Sequence, residues 1–420
     1  MGVEGFLLKT IIKNIQCLVT CSKESIKDSG IIENGYLILD DDKILEVGQG
    51  NHYEKFIDSN SLLIDGTGKT ITPGLIDSHT HVVYGGSREK ELEMKLNNVS
   101  YIDILNSGGG ILSTVKETRK LTQEELALQS KKRLDAMLIH GTTTIESKSG
   151  YGLTYEDEIK ILEVNKTLNE NHPLDIVSTF MGAHAIPAEY KNDREAYIDL
   201  IINKMLPYVA ENNLAEFIDV FCEKGVFTVE ESREILITGK KHGLKAKIHA
   251  DEIESIGGAE LAAEVNAISA EHLVGASIEG IKQMATQGVT PVLLPCTSFY
   301  LRLNRYADAR RMIEEGLKIA LATDCNPGTC PTESLQTVMT FACFGMGLLP
   351  EEIINAMTIN AARAIGREKS IGSIEIGKIA DIVIFDSPNL NHLIYHFGIN
   401  SVEKVIKKGK IVVEKGEIKC

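Results

Sequence analysis

Two histidines separated by one residue, His79 and His81, follow an apolar run that begins near Gly74. Side chains two positions apart on an extended strand point to the same face, so these two imidazoles could bind one cation. The pair is a weak signal by itself, because two hydrogen-bonded histidines at a strand end would have the same spacing. A metal site therefore requires further ligands from other parts of the chain.

Suitable ligands end three later apolar runs. His249 ends "KAKIH", His272 ends "AISAEH" and Asp324 ends "IALATD". If these runs are parallel strands of one barrel, their carboxyl ends gather at one face, where the active sites of such barrels lie. Three neutral imidazoles and one carboxylate suit a divalent ion with room for a water. We therefore predict His79, His81, His249 and Asp324 as the ligands of one metal ion.

Two further residues are predicted to act in catalysis beside the metal. A water activated by a metal ion needs a group that accepts its proton, and both Asp324 and Glu252 suit this role. The sequence leaves open which carboxylate is the base. His272 is expected to lie next to the metal or face the substrate, where it would stabilise a developing oxyanion.

A binuclear centre is the alternative to a single ion. No lysine in the sequence suits a carbamate that bridges two ions, since Lys148 lies on the second predicted strand. The fourth predicted strand, "EFIDVFCEKG", offers Asp219 and Glu223 instead. We therefore predict a mononuclear site.

The elements that would position these residues alternate along the middle of the chain. Eight short β-like runs are separated mostly by amphipathic helical stretches, a pattern typical of a (β/α)₈ TIM-like barrel of the α/β class. The runs lie near residues 74–79, 142–146, 175–181, 217–222, 245–249, 267–271, 291–294 and 318–322. We expect the barrel to occupy residues 71–365.

The two ends of the chain have a different pattern. Residues 1–70 and 366–420 contain short alternating apolar runs separated by turns such as Asp-Asp-Asp. Neither end has enough strands for a separate domain, so we expect the two ends to meet in one small β-sandwich domain.

Composition excludes several kinds of partner. The chain has 420 residues and a formal net charge of −15, which disfavours nucleic acid because phosphate backbones would be repelled. The long uncharged run 334–350 contains polar residues, two glycines and a proline, so we expect no membrane span. Eight scattered cysteines indicate reduced thiols and a cytoplasmic protein.

Longer motifs carry a family resemblance. The strings "PGLIDSHTH", "HTHVVYGGSREKELEMKLNNVSY", "TTIESKSGYGL", "GAHAIPAEY", "HADE" and "ATDCNPGT" span residues 73–329. Together they resemble the amidohydrolase superfamily, and within it a branch that acts in histidine degradation. The resemblance implies a metal-dependent barrel that hydrolyses the ring amide C–N bond of 4-imidazolone-5-propanoate to N-formimidoyl-L-glutamate. It also implies zinc or iron as the metal, which the ligand set fits, and a homodimer.

The resemblance further implies which residues bind the substrate. Arg88 would hold the propionate tail, because guanidinium binds carboxylate bidentately. The other implied contacts come from loops around the strand ends: Tyr151, His184, Glu252, Asn326, Gly328 and Thr329. Alternatively, Arg88 is a loop residue paired with Glu89 or Glu91, and Tyr151 is a half-buried aromatic residue.

Two other functions are compatible with parts of the pattern. A guanine- or cytosine-type deaminase would use the same histidine and aspartate set, but an arginine placed for a carboxylate argues against a neutral base as substrate. A non-catalytic barrel would be expected to have lost metal ligands, and this chain retains all of them.

Overall fold

The structure is a computed structural model, and it describes residues 9–97, 99, 103 and 109–419. Its strands fall into two sheets, one with nine strands and one with eight. In chain order the strands are β1 Lys9–Val19, β2 Ile31–Asp40, β3 Lys43–Gln49, β4 Leu62–Asp65, β5 Thr70–Pro73, β6 Leu75–Asp77, β7 Thr142–Lys148, β8 Asp175–Ala183, β9 Phe217–Cys222, β10 Lys245–Ala250, β11 Ser269–His272, β12 Thr290–Leu293, β13 Ala320–Leu321, β14 Ile382–Phe385, β15 Val402–Lys407, β16 Lys410–Glu414 and β17 Glu417–Ile418.

Helices separate most of the strands in the middle of the chain. The described α-helices are α1 Glu91–Leu96, α2 Ile111–Lys120, α3 Gln123–Ile139, α4 Tyr155–Asn171, α5 Arg194–Leu200, α6 Leu206–Glu211, α7 Val229–Lys241, α8 Gly258–Glu264, α9 Ile278–Gln287, α10 Pro295–Tyr300, α11 Ala309–Glu314, α12 Leu335–Met346, α13 Pro350–Ala356, α14 Ile359–Ala364 and α15 Leu390–Tyr395. A π-helical turn, Ile201–Met205, joins α5 to α6.

The eight-stranded sheet is the predicted barrel. Its strands follow one another in chain order from β6 to β13, as expected for repeated strand–helix units. The barrel nearly closes where Thr80 and Cys325 form a parallel bridge. At this bridge the Asp324 amide donates to the His79 carbonyl at 3.0 Å, and the His81 amide donates to the Cys325 carbonyl at 2.9 Å. Closure therefore joins the two segments that carry three of the predicted metal ligands.

Local sequence signals account for many element ends. Helix α7 begins after Thr228, whose side chain and that of Glu231 form a reciprocal capping box. Helix α3 ends just before Gly141, whose φ of +96° suits the glycine expected there. All seven residues of β7 are buried, as is usual for a strand covered on both faces.

The two chain ends meet in the nine-stranded sheet, which confirms the prediction of one small β domain. Strand β5 pairs in parallel with β1 and antiparallel with β14, so it links the first residues to the last. Side chains from both ends share one apolar cluster that includes Ile12, Ile71 and Ile384.

The chain divides into two compact units. One contains Met1–Ser78, Asp135–Thr144 and Ser334–Cys420, and the other contains His79–Leu134 and Ile145–Glu333. All predicted site residues belong to the second unit. The domain boundaries at 70/71 and 365/366 stay predictions. In the part of the chain that the structure describes, no helix is long and apolar enough to cross a bilayer.

Candidate active site

The His-x-His pair lies just beyond the end of β6, and Thr80 between the histidines forms the bridge to Cys325. The hydroxyl of Thr80 donates a hydrogen bond of 2.6 Å to the Glu146 carbonyl. The backbone carbonyl of Thr80 accepts one of 2.9 Å from the Lys148 amide. These bonds hold the backbone so that both imidazoles face the same way. The Nε2 atoms of His79 and His81 lie 3.4 and 3.8 Å from the same Asp324 oxygen, Oδ1.

Asp324 is held in a specific orientation. Its other oxygen, Oδ2, accepts a hydrogen bond of 2.7 Å from the Thr297 hydroxyl. Its φ of +56° lies in the left-handed region, which non-glycine residues adopt mainly where the surrounding structure requires it. Burial raises the pKa of Asp324 to about 6, against the lowering effect of the Thr297 hydrogen bond.

The remaining predicted metal residues approach the same point. The ring centroids of His249 and His272 lie 4.5 and 5.5 Å from that of His79. Two groups of ligand atoms each lie within 4.8 Å of one another: those of His79, His81 and Asp324, and those of His79, His249 and His272. The structure thus brings the four predicted ligands together and places His272 beside them.

The chemistry of these imidazoles fits a metal ion. Neither ring nitrogen of His79, nor Nδ1 of His81, has a hydrogen-bond partner among the described residues, although all are buried. Buried polar atoms normally have partners, and a cation bound at His79 Nε2, which faces Asp324, would supply one there. Burial lowers the pKa of His79, His81 and His272 well below the usual value, which keeps the rings neutral as metal ligands must be.

Glu252 lies next to His272. Its Oε1 is 3.7 Å from His272 Nδ1, and the side chain is almost fully buried. Burial, together with the nearby carboxylates of Asp324 and Glu223, raises the pKa of Glu252 to about 8. Glu252 is therefore protonated near neutral pH in the metal-free protein and can donate a proton.

Tyr151 and His184 form an aromatic wall next to the metal ligands. The His184 ring stacks on that of His81, with centroids 4.9 Å apart and planes 16° from parallel, and lies 5.3 Å from the Tyr151 ring. Burial lowers the pKa of His184 to about 3. Both rings therefore present neutral, flat surfaces of the kind that a planar heterocycle can pack against.

The loop that carries Tyr151 is organised by a buried carboxylate that the sequence reasoning did not single out. Glu158 accepts hydrogen bonds from the amides of Gly150, Gly152 and Leu153, at 2.7–3.2 Å. Gly150 has a φ of +105°, and a Cβ there would lie 2.7 Å from His184 Nδ1. The Lys-Ser-Gly-Tyr-Gly-Leu motif thus lets the loop pack directly on His184.

Arg88 takes part in the pairing that the alternative interpretation foresaw. Its Nε and Nη2 donate to both oxygens of Glu91, at 2.8 and 2.9 Å. The pair is not a surface feature, since the side chains are only 10% and 6% exposed. Burial raises the pKa of Glu91, but hydrogen bonds from Arg88 and from the Gly110 amide bring it below the usual value. Glu91 is therefore a carboxylate that orients Arg88.

The loop after Asp324 packs against this arginine. A Cβ at Gly328 would collide with Arg88 Nη1, so only glycine permits the observed approach. Asn326 holds the loop: its Oδ1 accepts from the amides of Gly328 and Thr329, and its Nδ2 donates to the Asp324 carbonyl and the Thr329 hydroxyl. The Asn326 amide group is thus used within the loop, and its direct contact with substrate stays a prediction.

Two charged residues inside the barrel, which the sequence analysis weighed only for a binuclear centre, contact the candidate site. Asp219 Oδ2 lies 3.0 Å from His249 Nδ1 and 2.7 Å from Lys148 Nζ. A charged residue inside a buried strand such as "FIDVFC" is unusual, and that exception to the apolar pattern was the available signal.

Comparison with known proteins identifies the family. The sequence profile of the amidohydrolase family matches residues 70–412, and the chain belongs to this family. Relatives that match nearly the full length of the chain define the family more narrowly. The imidazolonepropionase of Alkaliphilus metalliredigens is 54% identical over 98% of this chain and 100% of its own length. That of Alkaliphilus oremlandii is 57% identical over 97% of this chain and 98% of its length, and that of Geobacillus kaustophilus is 54% identical over 94% of both. Within the amidohydrolases, the chain therefore belongs to the imidazolonepropionase family.

Solved structures support the fold. An adenosine deaminase from Xanthomonas campestris with bound zinc has a TM-score of 0.70 at 18% identity, and covers 98% of this chain and 94% of its own. An amidohydrolase from a Sargasso Sea sample has a TM-score of 0.71 at 16% identity, and covers 98% and 94%. At these identities the likeness shows a shared fold and not a shared substrate.

Proposed function

We propose that this chain hydrolyses the ring amide C–N bond of 4-imidazolone-5-propanoate and releases N-formimidoyl-L-glutamate, in the third step of histidine degradation. The observation that carries the proposal is the convergence of the His79 and His81 Nε2 atoms on Asp324 Oδ1 in a buried group of neutral imidazoles. The relatives named imidazolonepropionase supply the substrate. The deaminase alternative is not favoured by these relatives.

The proposed cation site holds one divalent ion, zinc or iron, through His79, His81, His249 and Asp324. A set of three imidazoles and one carboxylate suits both metals. A bound ion would supply Lewis-acid activation of the attacking water and of the scissile carbonyl. The unpartnered buried Nε2 of His79 supports this assignment.

Arg88 is proposed to bind the propionate tail, with Glu91 as its support. A buried guanidinium has few ways to reach its orientation, and the bidentate contact with Glu91 selects one of them. The Gly328 backbone lies against the other edge of the guanidinium and shapes the space around it. The tail would add a second carboxylate to a cation that is already positioned, so little entropy is lost on binding.

Tyr151 and His184 are proposed to hold the ring. Their neutral aromatic faces, next to His81, give the imidazolone a flat surface beside the cation site. Gly328 and Thr329 belong to the loop that Asn326 organises, and we propose that this loop contacts the substrate or product.

The two carboxylates are proposed to divide the proton transfers. Asp324 accepts a proton from the attacking water as the new C–O bond forms, because its pKa of about 6 favours the ionised form at neutral pH. Glu252, with a pKa near 8, gives a proton to the ring nitrogen as the C–N bond breaks. His272, next to Glu252, is placed to stabilise the oxyanion.

A coupled turnover assay tests the activity. Urocanase would generate imidazolone propionate in situ, and the loss of its absorbance would be followed with and without chelator. We expect chelator-sensitive turnover that His79→Ala abolishes. His242→Ala, which removes an exposed histidine at the end of α7, should retain it. Absence of turnover by metal-loaded protein, or turnover that chelator leaves unchanged, would contradict the proposal.

Three finer properties are proposed with it. We expect one zinc or iron ion per chain, measured by elemental analysis. We expect a homodimer, with a native mass near twice the 46.1 kDa of the chain. We expect a cytoplasmic location, in keeping with the free thiols of the seven described cysteines.

A further inference from the structure

Five ionisable side chains lie together inside the barrel, below the proposed cation site. They come from four strands and are all fully buried: Glu146, Lys148, Asp219, Lys247 and Glu271. The interior of such a barrel is normally filled by branched apolar side chains, and buried charge is costly unless it is paired. A cluster of this size therefore needs a reason beyond packing.

One chain of contacts leads from this cluster to the cation site. Lys148 Nζ lies 2.8 Å from Glu146 Oε1 and 2.7 Å from Asp219 Oδ2. The same Asp219 oxygen lies 3.0 Å from His249 Nδ1, and Asp219 Oδ1 accepts from the His249 backbone amide at 3.1 Å. Asp219 thus hydrogen-bonds to both the ring and the backbone of His249, a proposed metal ligand, and Lys148 forms an ion pair with Asp219.

These contacts determine how the His249 ring is presented. A carboxylate is an acceptor, so the ring nitrogen that faces Asp219 must carry the hydrogen. The lone pair of His249 is then on Nε2, which is the form that a metal ion requires at that nitrogen. The ring can satisfy this condition only while Asp219 stays ionised and in place, and the adjacent ammonium group favours both.

We propose that Lys148 is a positioning residue for the cation site, which acts by holding Asp219 so that His249 presents Nε2 to the metal. The proposal rests on the proposed function for the identity of the site, and adds a residue on β7 that touches neither metal nor substrate. The Lys148 ammonium group also lies beside a second group of residues that could otherwise bind a cation. The ligand atoms of Asp219, His249 and Glu271 lie within 4.8 Å of one another, and Lys148 Nζ is 4.0 Å from Glu271.

A second buried lysine provides a matched control. Lys247, on β10, is as deeply buried as Lys148 and pairs with Glu146 at 3.1 Å and Glu271 at 3.6 Å. Lys247→Met and Lys148→Met each remove one buried ammonium group from the same cluster. The two variants differ in the carboxylates that lose an ammonium partner. Lys148→Met removes the partner of Asp219, whereas Lys247→Met acts on Glu146 and Glu271.

The test is the affinity of the full-length protein for cobalt(II), measured by competition with a chelator. Loss of an outer partner of a metal ligand typically weakens metal binding roughly 10- to 100-fold. We expect that loss for Lys148→Met and for Asp219→Asn, no further loss in the double variant, and no more than about a threefold change for Lys247→Met. Equal losses for the two lysine variants, additive losses in the double variant, or wild-type affinity in Lys148→Met would overturn the proposal.

A measurement on the wild-type protein covers the case in which the variants do not fold. In metal-free protein labelled with ¹⁵N-histidine, His249 should carry its hydrogen on Nδ1, and a His249→Gln sample assigns its signals. The opposite tautomer would overturn the proposal. Failure of the wild-type protein to bind cobalt at all would instead count against the proposed function, so the two outcomes can be told apart.

Discussion

At the scale of single residues, Arg88 shows how a loop side chain is oriented before it makes the carboxylate contact proposed for it. Its guanidinium is buried, held by both oxygens of Glu91, and packed against the backbone of Gly328. An exposed arginine would lose much of its side-chain freedom on binding a carboxylate, whereas this one has already lost it. Arg88 therefore suits the recognition of one carboxylate group in one place.

Removal of the Arg88 side chain should lower kcat/KM only for substrates that have a carboxylate tail. The variant Arg88→Met is made in a Glu91→Gln background, so that no buried carboxylate is left unpaired. Relative to Glu91→Gln alone, it should lower kcat/KM for imidazolone propionate roughly 10- to 100-fold, because a charged hydrogen bond contributes about 1.5–3 kcal/mol. The measurement compares this substrate with an analogue that has a methyl group in place of the carboxylate. Glu91→Gln alone is the control, and an equal loss with both substrates would refute tail binding by Arg88.

At the scale of elements, the loop between β7 and α4 is built to place Tyr151 against His184. Glu158, in the first turn of α4, gathers three backbone amides of the loop, and Gly150 allows the backbone to touch the His184 ring. The loop is thus a rigid part of the site, since its amides are satisfied by a buried side chain and not by water.

A methyl group at Gly150 should disturb this contact. In Gly150→Ala the new Cβ would meet His184 Nδ1 at 2.7 Å in addition to the cost of a positive φ, so we expect a lower melting temperature and at least a tenfold loss in kcat/KM. Gly243→Ala, after α7, has a similar φ of +89° with nothing within 4 Å. It should cost about 1 kcal/mol of stability and leave activity intact. Equal activity of the two variants would show that the His184 contact is unimportant.

At the scale of the whole molecule, the protein keeps carboxyl groups buried around the proposed cation site. Burial raises the pKa of Glu252 to about 8 and that of Asp324 to about 6. The folded metal-free protein therefore holds protons that the unfolded chain has already released. These two carboxyl groups therefore contribute stability that is lost as the pH rises, whereas the buried neutral histidines contribute stability that is lost as the pH falls.

We expect the contribution of Glu252 to the stability of metal-free protein to fall as the pH rises from about 5 to 8. Over this window Glu252 binds more protons in the folded than in the unfolded state, so its contribution to the free energy of unfolding falls by up to about 1.4 kcal/mol per pH unit. Urea unfolding of chelator-treated wild-type, Glu252→Gln and Glu234→Gln proteins measures the effect. The difference in free energy of unfolding between wild type and Glu252→Gln should fall as the pH rises, and that between wild type and the exposed Glu234→Gln should stay constant. Parallel curves for all three would contradict the raised pKa.

The sequence alone was sufficient for the barrel and for the β domain made from both ends, and it supplied the residue types of the proposed cation site. Strand and helix periods are local. The polar residues that end three of the apolar runs, His249, His272 and Asp324, can therefore be identified without coordinates. The tertiary structure decided which side chains meet. The contacts of Asp219 with Lys148 and His249 join strands far apart in the chain. No local pattern specifies such contacts, because a hydrogen bond depends on separations of about 3 Å that only the closed barrel sets.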